Sequence, residues 1–148
     1  YVLVTQRFVG ESTDSIRDIA PQTWKYLESH AQYLDGRKSK IYQKNPRFSI
    51  FGVGPYTFSP WKIGICGLYK KLEFRLIGKL TGKPVVFDDT VYFLSFDNAQ
   101  AAHKTFELLN SSLAIGFYST LIFWDDKRPI KSSILNSLNL KALIEMHV

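Results

Sequence analysis

Arg37-Lys38-Ser39-Lys40-Ile41-Tyr42-Gln43-Lys44-Asn45-Pro46-Arg47-Phe48-Ser49-Ile50-Phe51-Gly52-Val53-Gly54-Pro55-Tyr56-Thr57-Phe58-Ser59-Pro60-Trp61-Lys62 is where this chain changes character. Before it the apolar spacing is helical; at its end the period becomes two. From Gly36 to Lys83 there are eleven basic residues and one acid, Glu73, a net +10 in a chain whose total is +6. The remainder therefore carries −4, and the positive charge is a local feature. Tyr42, Phe48, Phe51, Tyr56, Phe58, Trp61, Tyr69 and Phe74 are interleaved with it. Clustered cations bind phosphates, and planar side chains stack on bases or wedge between them. Nucleic acid is the first functional reading. Its bland counterpart is a core of aromatics beneath a solvated lysine face, with Phe74 and Trp61 as core in either case.

Working outward, Trp61, Ile63 and Ile65 alternate with Lys62, Gly64 and Cys66, and Phe74, Leu76 and Gly78 alternate with Arg75 and Ile77, as strands do. Val85-Val86-Phe87 and Thr90 to Phe96 read as further strand. On the N-terminal side, Val2 to Val9 reads as a strand ended by Gly10, and Glu11 to Asp18 as a loop. Pro21 opens a helix with Trp24, Leu27, Ala31 and Leu34 on one face and Gly36 after its end. Gly52-Val53-Gly54-Pro55 is a turn. Beyond the strands, Asp97 with Gln100 suggests a capping box for a helix bearing Ala102, Phe106 and Leu109. Ser111 to Phe123 is a second, apolar helix. Asp125 to Pro129 is a polar break, and Lys131 to Leu138 a last helical segment. The expected fold is α+β: a twisted, mostly antiparallel or mixed sheet with an N-terminal helix and a helical C-terminal part.

The 148 residues, 45% hydrophobic, suit one folded domain with its own core. A lone cysteine, Cys66, gives no disulfide framework and no zinc cluster. No run approaches the ~20 apolar residues that span a bilayer, and no signal peptide opens the chain. The expectation is a soluble, cytoplasmic protein without a membrane partner. The start at Tyr1, without Met, suggests a piece excised from a larger protein.

Catalytic motifs are incomplete. Asn45-Pro46-Arg47-Phe48 resembles the Asn-Pro-Pro-aromatic motif of amino-group DNA methyltransferases, but Arg47 replaces the second proline. Phe51-Gly52-Val53-Gly54 hints at a glycine-rich cofactor loop without room for the strand and helix such a loop joins. Asp88-Asp89 and Asp125-Asp126 suit turns and caps better than metal ligation. His30, His103 and His147 have no ligand spacing. No catalytic, cofactor or metal residue is assigned.

Several stretches together carry a family likeness. They are Val4 to Glu11, Arg37 to Tyr42, Pro46 to Phe58, Lys62-Ile63, Asp88 to Phe93, and Leu108-Leu109-Asn110-Ser111-Ser112. In this order they resemble the C-terminal target-recognition (specificity) domain of TaqI-like and Eco57I-like adenine-specific DNA methyltransferases. The resemblance implies a single recognition domain over residues 1–148 that is non-catalytic alone and contacts double-stranded DNA. It would serve a catalytic methyltransferase domain of the same parent chain, where S-adenosylmethionine would bind, within a restriction-modification system. The candidate DNA contacts are Arg37, Lys38, Lys40, Lys44, Arg47, Lys62, Lys70 and Lys71, with Tyr56, Phe58 and Trp61 for stacking or groove insertion. The rival readings are an endonuclease domain, requiring a carboxylate pair with a lysine and a divalent ion, and a protein-interaction module using an apolar patch on Leu113 to Phe123.

Overall fold

The computed structural model describes residues 1–146, so His147 lies outside the described residues. The fold is α+β, with eight helices and three strands among those residues. The chain divides into two compact units, Tyr1–Thr57 and Phe58–Val148.

The first unit is helical. Helices α1 (Ile16–Ile19), α2 (Pro21–Ser29) and α3 (Ala31–Asp35) are followed by the short α4 (Lys40–Gln43). The expected single helix from Pro21 to Gly36 is interrupted at His30, which caps both α2 and α3. Its apolar face survives the break: Trp24 and Leu27 are buried with Ile16 and Phe48, and Ala31 and Leu34 pack against them. Helix α1 begins inside the stretch expected to be a loop, Glu11 to Asp18, and ends one residue beyond it.

The expected strand from Val2 to Val9 does not form. A strand sends neighbouring side chains to opposite faces, whereas the adjacent Thr5 and Gln6 are both buried and Val2, Leu3, Phe8 and Val9 are exposed. The segment is tied down by side chains. Gln6 Nε2 donates to the Ile50 carbonyl at 3.0 Å, and the Ile50 amide donates back to Gln6 Oε1 at 2.9 Å. One glutamine thus supplies the pair of bonds that a neighbouring strand would have made. Thr5 Oγ1 donates to the Phe48 carbonyl at 2.9 Å, and Thr13 Oγ1 to that of Arg47. Arg37 Nη1 donates to the Ser49 carbonyl at 2.7 Å. Four successive carbonyls, residues 47 to 50, are therefore each held by a side chain from elsewhere in the unit. They fix Phe48 at φ +63, a left-handed conformation that is costly for a bulky residue.

The second unit is a sheet covered by helices. Strands β1 (Trp61–Cys66), β2 (Arg75–Ile77) and β3 (Val91–Phe96) form an antiparallel sheet in the order β2-β1-β3. Ile63 and Ile65 face a core with Phe74, Leu109, Tyr118, Ile122 and Ile130. That core is supplied by α5 (Ala99–Leu109), α6 (Ser112–Leu121) and the segment after it; α7 (Ser132–Leu135) and α8 (Leu140–Glu145) follow. Asn98, not Asp97, caps α5, accepting from the Ala101 amide at 2.8 Å, and Asp97 instead accepts from Ser59 Oγ at 3.4 Å.

The expected strand Val85-Val86-Phe87 does not form. Pro84 lacks an amide to donate, and Phe87 lies across the other face of the sheet, with its ring 5.5 Å from that of Phe93. A Cβ on Gly64 would stand 3.4 Å from Ile77 and Val91 and 3.8 Å from Phe87, in ordinary contact with this cover. Asp88 shapes the turn before β3, accepting from the amide and hydroxyl of Thr90.

Replacing Gln6 with Ala should cost about 1–3 kcal/mol in the first unit, because the Ile50 amide and carbonyl lose their partners together. Amide hydrogen exchange checks this: protection of Ile50 should fall sharply while that of β1 amides stays unchanged.

Candidate nucleic-acid interface

In the first unit the basic residues serve two different roles. Arg37 is half-buried: Nε donates to the Leu34 carbonyl and Nη1 to that of Ser49, both at 2.7 Å. Its guanidinium also stacks on Tyr42 at 3.8 Å. Arg37 is thus a brace joining α3, α4 and residues 47–50, and only part of its fork remains for a phosphate or base. Arg47 is exposed; it forms a two-pronged pair with Asp35, with Nη2 to Oδ2 at 2.8 Å, and lies 4.4 Å over the Phe48 ring. That pair holds the Asp35 carboxyl below the usual aspartate range, the hydrogen bond from Arg47 being the main cause.

Lys38, Lys40 and Lys44 point to solvent. Lys40 opens α4 and Lys44 follows its end four residues later, so both lie on one side of that turn. Asn45 Nδ2 donates to the Ile41 carbonyl, securing the chain as it leaves the helix. The result is three solvated ammoniums on a short rigid support, with Arg37 stacked behind them. The methyltransferase-like tetrapeptide does not present its aromatic: Phe48 is 2% exposed, edge-on to Trp24 at 5.3 Å, and so cannot stack on a base.

Tyr56 belongs to a 3-10 turn, Pro55–Phe58. The Thr57 amide donates to the Gly54 carbonyl at 2.9 Å, and the Gly54 amide to Thr57 Oγ1 at 3.1 Å. The Tyr56 ring lies over Gly54, where an added Cβ would come within 2.4 Å of it, so any larger residue there would push the ring aside. Tyr56 remains 44% exposed.

In the second unit Lys62 is the clearest departure from the expected contacts. It is 1% exposed, and Nζ donates to the Ser59 carbonyl at 2.8 Å, beside the Phe93 ring. Its place in the β1 alternation puts it on the covered face, where it cannot reach a phosphate. Burial lowers its pKa. Trp61 packs its ring against His103 at 5.8 Å and over Gly78, and is mainly structural. Phe58 keeps 38% of its surface exposed.

Lys70 and Lys71 are exposed on the segment leading to β2. Lys71 pairs with Glu73 at 2.6 Å, and Arg75 pairs with the same carboxylate. The Lys71 hydrogen bond first, and the Arg75 charge after it, hold Glu73 below the usual glutamate range. These three side chains rim a cavity of about 360 Å³ whose other walls include Phe87, Ile77, Val91 and Tyr69. Next along the chain is a hairpin whose two-residue loop, Thr81-Gly82, lies between Leu80 and Lys83. The Leu80 and Lys83 amides and carbonyls bond reciprocally, and Thr81 and Gly82 both have positive φ. Sequence reasoning missed this hairpin, although a residue-glycine pair in a two-residue loop is a signal for it.

One member of each carboxylate pair has a structural duty. Asp88 holds Thr90, and Asp126 pairs with Lys131. Among the described residues, no three His, Cys, Asp or Glu side chains are grouped to hold a metal ion. No helix there is long and apolar enough to cross a membrane.

The likeness to known proteins lies among methyltransferases. The chain is 70% identical over 146 residues to the Type II methyltransferase M.NspV of Nostoc sp., an alignment covering 99% of this chain and 30% of that protein. The chain thus spans less than a third of the curated relative it matches. No protein-family profile matches it, and no solved structure does.

Two measurements check these assignments. In an NMR titration the Asp35 carboxyl should titrate below the ordinary aspartate range and return to it when Arg47 is replaced with Ala. Lys62 shifts in the same direction for a different reason: burial lowers its folded pKa, so the unfolded chain binds the proton more readily. Stability should therefore rise as pH climbs from the lowered value towards 10.5. Lys62→Met should abolish that rise in urea melts taken across the alkaline range.

Proposed function

We propose that this chain is the DNA target-recognition part of an N6-adenine methyltransferase of the TaqI-like and Eco57I-like kind, acting in a restriction-modification system. The observation that carries the reading is the 70% identity, along almost the whole chain, to a segment of a Type II methyltransferase. Recognition rather than methyl transfer fits this segment, because the one methyltransferase-like tetrapeptide buries its aromatic. S-adenosylmethionine and the reacting adenine would then be held by a catalytic domain of the same polypeptide, in the cytoplasm where its DNA is.

On this reading Lys38, Lys40 and Lys44 anchor phosphates from the first unit, and Lys70 and Lys71 do so from the second. Arg47 can exchange Asp35 for a guanine edge or a phosphate, since its fork suits either and the present pair is exposed. Arg37 contributes field and support more than direct contact. A protein-contact role has its own observation: Leu113, Phe117 and Leu121 lie four residues apart along α6 and are exposed, as is Phe123. That stripe suits the remaining part of the methyltransferase and coexists with DNA binding elsewhere.

Fluorescence anisotropy on random-sequence duplexes at several salt concentrations tests the reading. The chain alone should bind with Kd on the order of 10⁻⁴ to 10⁻⁶ M at physiological salt, weakening steeply as salt rises. Lys38→Ala, Lys40→Ala and Lys44→Ala should each reduce the salt slope by roughly one unit, as the removal of one phosphate-neutralising charge does, and Lys62→Met should leave it unchanged. Absence of binding at low salt would sink the proposal.

A further inference from the structure

The aromatic that the loop geometry singles out is none of Tyr56, Phe58 and Trp61. Phe51 is 56% exposed, between Ser49 at 1% and Val53 at 4%. The chain reaches out at residues 51–52 and turns back at once through Gly52, at φ +75; apart from its two chain neighbours, nothing lies within 4 Å of where a Cβ at Gly52 would stand. Just before this tip come the four carbonyls held by Thr13, Thr5, Arg37 and Gln6. A slack loop would fold a phenyl ring back onto the unit's own apolar surface. Here the backbone is tied on its approach, so the ring stays outside. Arg37 joins this loop to the cationic helix, bonding the Ser49 carbonyl on one side and stacking on Tyr42 of α4 on the other.

We propose that Phe51 is a stacking wedge for nucleobases: the braced loop presses its ring against an unstacked base step while Lys38, Lys40 and Lys44 hold neighbouring phosphates. The inference rests on the DNA-binding reading above and deepens it. An exposed planar apolar side chain on a rigid support suits this role, because the ordering cost of insertion falls on the DNA and little of it on the protein. The stacked ring is uncharged. Removing it therefore lowers affinity without altering counterion release, and this separates it from the lysines.

The test uses the whole chain and a set of duplexes carrying 2-aminopurine at scattered positions, whose fluorescence rises when a base unstacks. The unaltered chain should bind and raise the signal. Phe51→Ala should weaken binding by roughly 5- to 150-fold, the range for removing one base–aromatic stack. It should abolish the fluorescence rise and leave the salt slope unchanged. Phe51→Trp should preserve both affinity and signal. The ring is exposed, so neither variant should disturb folding, and retained exchange protection of the Ile50 amide verifies it. If Phe51→Ala binds as tightly as the unaltered chain, or still raises the signal, the wedge is refuted while DNA binding stands. If the unaltered chain fails to bind duplex at low salt, both ideas fall together.

Discussion

Four side chains reaching four consecutive carbonyls constrain the first unit more than any other feature. Thr13, Thr5, Arg37 and Gln6 come from three separate stretches of sequence and meet residues 47 to 50 in order. The left-handed backbone at Phe48 costs on the order of 1–3 kcal/mol. Four buried or half-buried hydrogen bonds at about 0.5–1.5 kcal/mol each outweigh it. Leaving any of these carbonyls unpaired would add a desolvation penalty to the missing bond. The same arrangement decides what the basic residues can do: it takes Arg37 inward as a brace and leaves Lys38, Lys40 and Lys44 outside on a fixed support.

The second unit obeys a different constraint. A small three-stranded sheet depends on apolar cover for its stability, and the helices cover only one of its faces. Phe87, from the segment before β3, lies against the other, over a glycine in the central strand. Lys62 is caught on that side, with its ammonium turned to the Ser59 carbonyl. Lys70 and Lys71, on the segment beyond the strand, remain in solvent. Position in the alternation, more than residue type, separates a surface lysine from a buried one.

The α+β class, β1 and β3, the buried faces of α2 and α5, and the apolar α6 were all legible in the sequence, because each rests on local periodicity. The misreadings share a cause. Val2 to Val9 and Val85 to Phe87 have strand-like composition, but composition does not reveal whether a pairing edge exists; in the first case Gln6 takes the bonds of Ile50, far along the chain. The shift of the α5 cap from Asp97 to Asn98 is a one-residue ambiguity between two good capping residues. For the candidate interface, the local charge excess pointed to Lys38, Lys40, Lys44, Lys70 and Lys71, and all five are exposed. It could not foretell that Arg37 would be consumed by backbone carbonyls, that Lys62 would be covered, or that Phe51 would be left outside.

Mapping amide and side-chain NMR shifts of this chain during titration with duplex DNA tests the central claim most directly, that the braced loop and its cationic helix form the DNA-contacting surface of the first unit. The largest changes should fall on residues 38–44 and on Phe51 and Gly52, with the Ile50 amide still protected and Lys62 unmoved. Changes confined to the α6 stripe of Leu113, Phe117 and Leu121, with residues 38–52 silent, would contradict it.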